Sequence, residues 1–369
     1  MLILPAVSLA LWLGLLLAPW QAWRCRERLE PERQAAPPEP DFTVLIPARD
    51  EAAVIAETLA ALRGDAADAP VILVDDQSRD GTAAIAQRSG LQHLTVIAGT
   101  PPPAGWTGKL WALQQGLAAV TTPRVLLLDA DIRLAAGMIA ALQRKAREGH
   151  ALVSVCAEPC WRGMAARWLL PAFVYFFKLL YPFALANRAG GPVAAAAGGV
   201  ILADRAVLAR IDAFAAWRDA IIDDCTLAAH AKRAGCRCWV GLTHGAASLR
   251  KADLAGIARM VARTAYVQLR ESPWLLLATT ALMVLAFWIP VIAATAFGGP
   301  VRRLGLAAWL ALAACYLPTL RYYRRNLAAA VLLPLTATFY LAVTWYSAWR
   351  TLRGTRSVWK DRRYQRDLG

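Results

Sequence analysis

Asp129 and Asp131 stand one residue apart at the end of an apolar run, VLLLDADIRL at 125–134. A strand running into a polar turn produces that pattern with no chemistry in it. The alternative is two hard carboxylates turned toward one divalent cation. Such a cation offsets the charge that builds on a nucleotide diphosphate as its bond to carbon breaks. One carboxylate can bind directly and the other through water, so the spacing permits a metal site without requiring one. Two other strand-like runs end in the same manner. VLIPARDE sets Arg49, Asp50 and Glu51 past the first, and VILVDDQSRDGT sets Asp75 and Asp76 past the second. Acids at a strand end can accept bonds from a ribose or a base. The residues after Asp76 are also ordinary turn and cap residues.

Further candidates follow along the chain. Lys109 in GWTGKLWAL (105–113) is suited to contact a diphosphate, with Gly105 and Gly108 permitting close backbone approach. AAAAGGVILADR (194–205) offers a wall of small residues against which a sugar could lie, or simply a tight junction. Asp223 and Asp224 in AIIDDCTLAAHAKRAG open a helical pattern. A helix N-terminus favours acids there without any chemistry. An acid in that place can equally serve as a general base toward an acceptor hydroxyl, and two adjacent acids raise each other's pKa. Arg259 and Arg263 lie four apart on one helical face, facing either a diphosphate or lipid headgroups. His230 and His244 read as surface or hydrogen-bonding residues. No Gly-x-Ser-x-Gly, Walker A or His-Glu-x-x-His pattern occurs.

These residues need a scaffold. Apolar strands at 42–47, 71–75 and 125–129 alternate with Ala-rich helical stretches at 51–63, 81–89, 109–119 and 135–148, which predicts a parallel sheet with crossover helices. Ligands of such sheets sit beyond the carboxyl ends of the strands, where the acids lie. The flanks differ in kind. The chain of 369 residues is 58% apolar and 18% charged, and the apolar excess lies at its two ends. Residues 2–22 are long enough to cross a bilayer, with basic residues after them, so 1–23 reads as an uncleaved N-terminal transmembrane anchor. Residues 24–41 read as a basic and Pro-rich linker, 42–270 as the α/β domain, 271–350 as a membrane domain and 351–369 as a basic cytoplasmic tail. Residues 161–188, interrupted by two prolines and Lys178, fit an interfacial helix, with a core helix as the alternative. Apolar runs at 274–297, 304–320 and 327–349 raise a parity problem. Three full spans would put the basic tail outside, against the charge rule, so one run is expected to be re-entrant: the third, with Pro334, or the short middle one. The net charge of +15 clusters beside hydrophobic stretches, which suits an anionic membrane face and not nucleic acid. The seven cysteines are odd in number and lack zinc spacing, so they read as reduced thiols.

Taken in order, VLIPARDE, ILVDDQSRDGT, GKLWAL, LLLDADIR and IIDDCTLA resemble the family-2 glycosyltransferases with the GT-A fold, a Rossmann-like α/β nucleotide-sugar-binding domain, over about 42–270. The flanking segments and WKDRRY resemble the membrane-bound subset, including ceramide glucosyltransferase-like enzymes. FVYFFKLLYPF and RMVARTAYVQL resemble the hopene-associated glycosyltransferases of hopanoid biosynthesis. The resemblance implies that Asp75 and Asp76 grip the nucleoside, that Asp129 and Asp131 hold the metal and diphosphate, and that Asp224, with Asp223, takes the catalytic-base position. Pro47, Ala48, Arg49, Glu51, Lys109, Ala130, Arg259 and Arg263 complete the expected nucleotide-sugar site. The family's Gln-x-x-Arg-Trp motif is incomplete: Arg263 fits its Arg, but Met260 and Thr264 stand for Gln and Trp. That departure implies a single transfer and no polymer.

The expectation is an inverting enzyme that uses a UDP-sugar and Mg or Mn. It would glycosylate a lipid hydroxyl, favouring a terpenoid or hopanoid, on the cytoplasmic face of a bacterial inner membrane that it crosses several times. Two rivals stand beside it. A haloacid-dehalogenase-like phosphatase would share the Asp-x-Asp strand end, but wants Thr or Val where Arg133 stands. An inactive membrane scaffold or lipid-binding protein would need none of these acids.

Overall fold

The computed structural model describes residues 1–31, 39–359 and 362–365, and side chains as far as Gly354. Part of the Pro-rich linker (32–38) and the end of the basic tail lie outside the described residues. The chain opens with α1 (Ile3–Leu17), which stops two residues before Pro19. At 15 residues it is about 22 Å long, short of the roughly 30 Å hydrocarbon layer. The expected run of 2–22 therefore does not form one spanning helix. Nor is all of 24–41 a free linker: Leu29 donates to the Leu242 carbonyl and Leu242 donates to that of Glu27, so the segment runs beside the strand that carries Leu242, near one edge of the sheet.

The α/β domain begins with β1 (Phe42–Ala48), buried along its whole length, then α2 (Ile55–Asp65), β2 (Val71–Asp75), α3 (Thr82–Gln87), β3 (Leu94–Ala98), α4 (Gly108–Leu117) and β4 (Arg124–Leu128). β1, β2, β3 and β4 pair in parallel, as continuous apolar strands buried on both faces should. The register sets Ala48 beside Asp75 and Leu45 beside Leu127, so the acidic ends of β1, β2 and β4 share one edge.

The second half corrects the expectation of a purely parallel sheet. After β5 (Ile132–Leu134), α5 (Met138–Arg147), β6 (Leu152–Glu158), α6 (Met164–Leu180) and α7 (Phe183–Ala186) comes β7 (Val200–Asp204), followed by α8 (Arg205–Arg210), α9 (Asp223–Arg233) and β8 (Cys238–Ser248). The sheet has eight strands in the order β3-β2-β1-β4-β7-β6-β8-β5. β7 runs antiparallel to both β4 and β6, and β5 is antiparallel to β8. Leu128 pairs with Val200, which brings Gly198 and Gly199 to the end of β4; Ile132 pairs with Ser248, which brings Ser248 beside Asp131. The antiparallel insertion thus builds the second wall of the site.

The remaining helices are α10 (Leu254–Gln268), α11 (Pro273–Met283) continued through a wide turn into α12 (Ile289–Ala296), α13 (Gly299–Tyr322) and α14 (Leu333–Leu352); β9 (Thr355–Trp359) and β10 (Arg362–Gln365) pair separately. Two helical runs, 273–296 and 299–322, are long and apolar enough to cross a bilayer. The middle run is therefore not the short one expected, and Pro334 sits in the first turn of α14, where proline is tolerated and breaks nothing. Trp274, Leu310 and Leu352 are strongly exposed, which leaves an apolar surface around this helical layer. α6 buries Leu169, Tyr175 and Lys178 while exposing Met164, Trp168 and Leu180. Lys178 is the pin: its buried ammonium donates to Thr319 Oγ1 on α13 at 3.0 Å and to the Arg24 carbonyl at 3.2 Å. Burial pulls the Lys178 pKa down, and its bonds to the Arg24 carbonyl, Thr319 and Cys25 offset the cost of burying a polar group there. All seven cysteines are free thiols, six of them buried.

Candidate active site

The loops after β1 and β2 lace together through turn chemistry. Asp50 and Gln77 adopt left-handed backbone (φ 50° and 60°), which a short polar side chain such as that of Asp50 tolerates. Ser78 Oγ accepts from the Asp50 amide, Thr82 Oγ1 from the Glu51 amide and Asp80 from the Ala52 amide, at 2.8–2.9 Å. That is why α2 begins at Ile55 and not at 51. Asp80 and its neighbours are therefore spent on structure, whereas Asp75 and Asp76 are differently placed. Asp75 Oδ2 accepts from the Ser78 amide at 3.3 Å, but its Oδ1 is buried without a hydrogen-bond partner among the described residues. A buried acceptor left so costs about 1–3 kcal/mol, which a donor on a ligand would relieve. Asp76 is fully buried, with its carboxylate 4.0 Å from Arg49, whose guanidinium also donates to the Asp76 carbonyl at 2.6 Å.

At the next strand end, Lys109 Nζ lies 3.0 Å from Asp129 Oδ1 and 3.1 Å from Asp223 Oδ2. Three distant segments meet on this ammonium. Lys109 is carried by the first turn of α4, which is seated tightly on the sheet: a Cβ on Gly116 would lie 2.3 Å from Leu45 Cδ1. Asp223 and Asp224 form the first turn of α9. Asp224 Oδ2 accepts from the Gly198 amide at 2.8 Å and Oδ1 from the Cys225 amide at 2.7 Å. These groups, with Pro47 and Phe214, line one cleft floored by Leu110, Leu127 and Ile201. Burial, and then the Asp223 charge, push the Asp224 carboxyl up to about 6. Burial opposes the Lys109 charge, but Asp129 and Asp223 outweigh it and hold the ammonium above its usual range. Burial also raises the Asp129 carboxyl, against the pull of Lys109. A cap acid at a helix start needs none of this; the lysine bridge and the cleft distinguish the pair from simple helix stabilisation.

Asp131 faces the other way. Its Oδ2 accepts from Ser248 Oγ at 2.8 Å and Arg250 Nε at 3.4 Å, and Arg250 also reaches Glu51 at 2.6 Å. In this structure the two acids of the opening stretch are engaged by separate cationic side chains, Asp129 by Lys109 and Asp131 by Arg250. Among the described residues no group of three or more acid, His or Cys side chains could hold a metal ion by itself. Mg²⁺ is commonly held by one or two carboxylates with substrate phosphates and water supplying the rest. Asp131 and Asp129 fit that mode of binding and not an all-protein cage.

Other expected residues are placed less centrally. Ala48 accepts from the Asp76 amide and Ala130 from Thr58 Oγ1, so both carbonyls are engaged by the fold. Arg259 is exposed, and Arg263 is half-buried with Nε lacking a hydrogen-bond partner among the described residues. No ion pair joins either arginine to the acids of the cleft among the described residues. His230 lies against Trp217, and His244 bonds Glu158 and stacks on Tyr322. Sequence reasoning missed Arg250, Ser248 and the amide of Gly198. Arg250 is one arginine among many, and an amide carries no side-chain signal; only the strand register reveals them.

Residues 38–266 match the model of a family described as glycosyltransferase like family 2. Over 91 residues the chain is 33% identical to the 4,4'-diaponeurosporenoate glycosyltransferase of Staphylococcus aureus (strain USA300), a match covering 25% of this chain and 24% of that protein. The chain thus spans about a quarter of the length of the curated relatives it matches. The mannosyltransferase PcManGT from Pyrobaculum calidifontis, solved in complex with GDP-Man and Mn²⁺, superposes with a TM-score of 0.58 at 22% identity, over 95% of this chain and 99% of that one. That likeness concerns the fold, which is GT-A-like: a mixed sheet with helices on both faces. The family match covers more than half of the sequence, and the chain belongs to glycosyltransferase-like family 2.

Proposed function

We propose that this protein transfers a single sugar, with inversion, from a UDP-sugar to a hydroxyl of a membrane lipid at the cytoplasmic face of a bacterial inner membrane. The observation that carries the reading is the meeting of Asp129, Lys109 and the Asp223–Asp224 pair in one cleft at the acidic strand ends. Asp75 and Asp76 would receive the nucleoside, with Arg49 setting the loop. Lys109 would meet the diphosphate and offset its growing charge. Asp224, oriented by the hydrogen bonds it accepts from the Gly198 and Cys225 amides, would take the acceptor's proton as the acceptor oxygen attacks the anomeric carbon and the bond to the diphosphate breaks. One attack from the far side inverts that carbon. A divalent cation held by Asp131 and Asp129 would supply further charge neutralisation at the diphosphate when bound.

The lipid acceptor is supported by the exposed apolar surface of α6 and α11–α14 next to the catalytic domain, and by the short match to a glycosyltransferase named for 4,4'-diaponeurosporenoate. A terpenoid or hopanoid alcohol is the favoured class. The α1 anchor and a multi-pass arrangement belong to the same reading. Purified protein should release UDP from a UDP-sugar only when both a divalent metal and membrane lipid are present. Release of inorganic phosphate with no nucleotide supplied would favour the phosphatase reading instead.

A further inference from the structure

The base has a neighbour that the reaction described so far does not use. α6 ends at Leu180, where Pro182 prevents its continuation, and Tyr181 sits in the break with extended backbone (φ −126°, ψ 77°). Its hydroxyl donates to Gln268 Oε1 at 2.8 Å. Gln268 is the last residue of α10, a helix fixed from behind by Ser347 of α14, whose hydroxyl donates to the Ala262 carbonyl at 2.6 Å. Tyr181 packs against the buried cluster that holds Cys225, the residue after the proposed base. Burial first, and then the neighbouring Cys225 and Asp224, push the phenol's pKa up. The ring lies against Phe177, with centroids 5.2 Å apart.

Two adjacencies in the chain give this pair its meaning. Tyr181 follows Leu180, which is 59% exposed on the apolar face of α6; Cys225 follows Asp224. Tyr181 thus follows an exposed residue of α6 and packs against the cluster that holds Cys225, the neighbour of the proposed base. An alcohol approaching Asp224 from that side would meet the rings of Phe177 and Tyr181, one neutral donor and one neutral amide. A phenol and an amide can bond a hydroxyl as donor and acceptor without competing for its proton.

Resting on the functional reading above, we propose that Tyr181 and Gln268 form the acceptor subsite. The pair parts its mutual hydrogen bond to receive the hydroxyl of a membrane-embedded alcohol and aims it at Asp224. No bond is made or broken at the pair beyond hydrogen bonds, and the proton still leaves to Asp224.

The test compares Tyr181→Phe and Gln268→Leu with the unaltered protein, using an extract of bacterial membrane lipids in detergent as acceptor and a UDP-sugar as donor. Loss of one hydrogen bond to the acceptor should raise the apparent KM for lipid three- to tenfold, on the order expected for a neutral bond. The donor KM and UDP binding should stay as they were. A pair that only ties α6 to α10 would leave the acceptor KM unchanged or would weaken donor and acceptor in step, and either result overturns the assignment. If a variant folds poorly, Gln268→Glu, which keeps the acceptor oxygen, should restore UDP binding; an acceptor KM back at the unaltered value would support the subsite, and one still raised would refute it. An unaltered protein that moves no sugar to lipid would fail the functional reading as well. Robust transfer with unmoved acceptor KM in the variants fails the subsite alone.

Discussion

The position of the acid limb of activity follows from the surroundings of Asp224. A carboxyl held at about 6 is about nine-tenths ionised at pH 7 and about one-tenth ionised at pH 5. An ordinary aspartate would still be about nine-tenths ionised at pH 5. A base must be ionised to accept a proton, so kcat/KM should fall close to tenfold between pH 7 and pH 5. The perturbation is Asp223→Asn. Burial would remain, but the like charge that adds to it would go, so the Asp224 carboxyl should drop and the limb should move to lower pH, on the order of one unit. Lys109 keeps its contact with Asp129 at 3.0 Å, so the cleft does not lose its cation. The assay is initial UDP release at low donor concentration from pH 4.5 to 8, with the unaltered protein and the variant in the same buffers. A wild-type limb at or below pH 4.5, or a variant limb that moves upward, would refute the reasoning.

Other outcomes test separate parts of the account. Asp224→Asn should lower kcat by about 10²–10⁴-fold, the usual worth of a general base, while UDP binding by calorimetry stays intact. Gly198→Ala would put a Cβ 3.2 Å from Asp224 Oδ2 and 3.4 Å from Lys109 Nζ, so activity should fall sharply with the melting temperature nearly unchanged. Asp131→Asn should raise the Mg²⁺ or Mn²⁺ concentration for half-maximal activity by at least about tenfold, read from a metal titration. Gly305→Leu should destabilise the helical layer by about 1–3 kcal/mol in a detergent melt, because a Cβ there would lie 2.5 Å from the Ala294 amide nitrogen where α13 crosses α12.

The sequence carried the first half of the fold well and the second half poorly, for a physical reason. β1, β2 and β4 are uninterrupted apolar strands ending in acids, and their parallel pairing follows from the helices between them. β7 is just as apolar, but nothing in a buried strand's composition records which way it runs, so its antiparallel pairing with β4 was not legible. The site divides along the same line. Asp75, Asp76, Lys109, Asp129 and Asp224 announce themselves by type at element ends. Arg250 and Gly198 depend on which strand lies beside β4 and β5, and that is a long-range fact. The membrane segments show a related limit. Apolar length located α11–α13, but Pro19 shortens α1, and packing alone tells that Pro334 opens α14 harmlessly.

The most direct measurement of the central claim is the transfer of a radiolabelled sugar from a UDP-sugar into the organic-soluble fraction, by the purified protein and by its Asp224→Asn variant side by side. Label should enter lipid in the presence of metal with the unaltered protein, and fall to a hundredth of that or less with the variant while donor binding persists. Equal labelling by both proteins would contradict the role given to Asp224, and label in neither, with UDP-sugar bound and lipid present, would contradict the transfer itself.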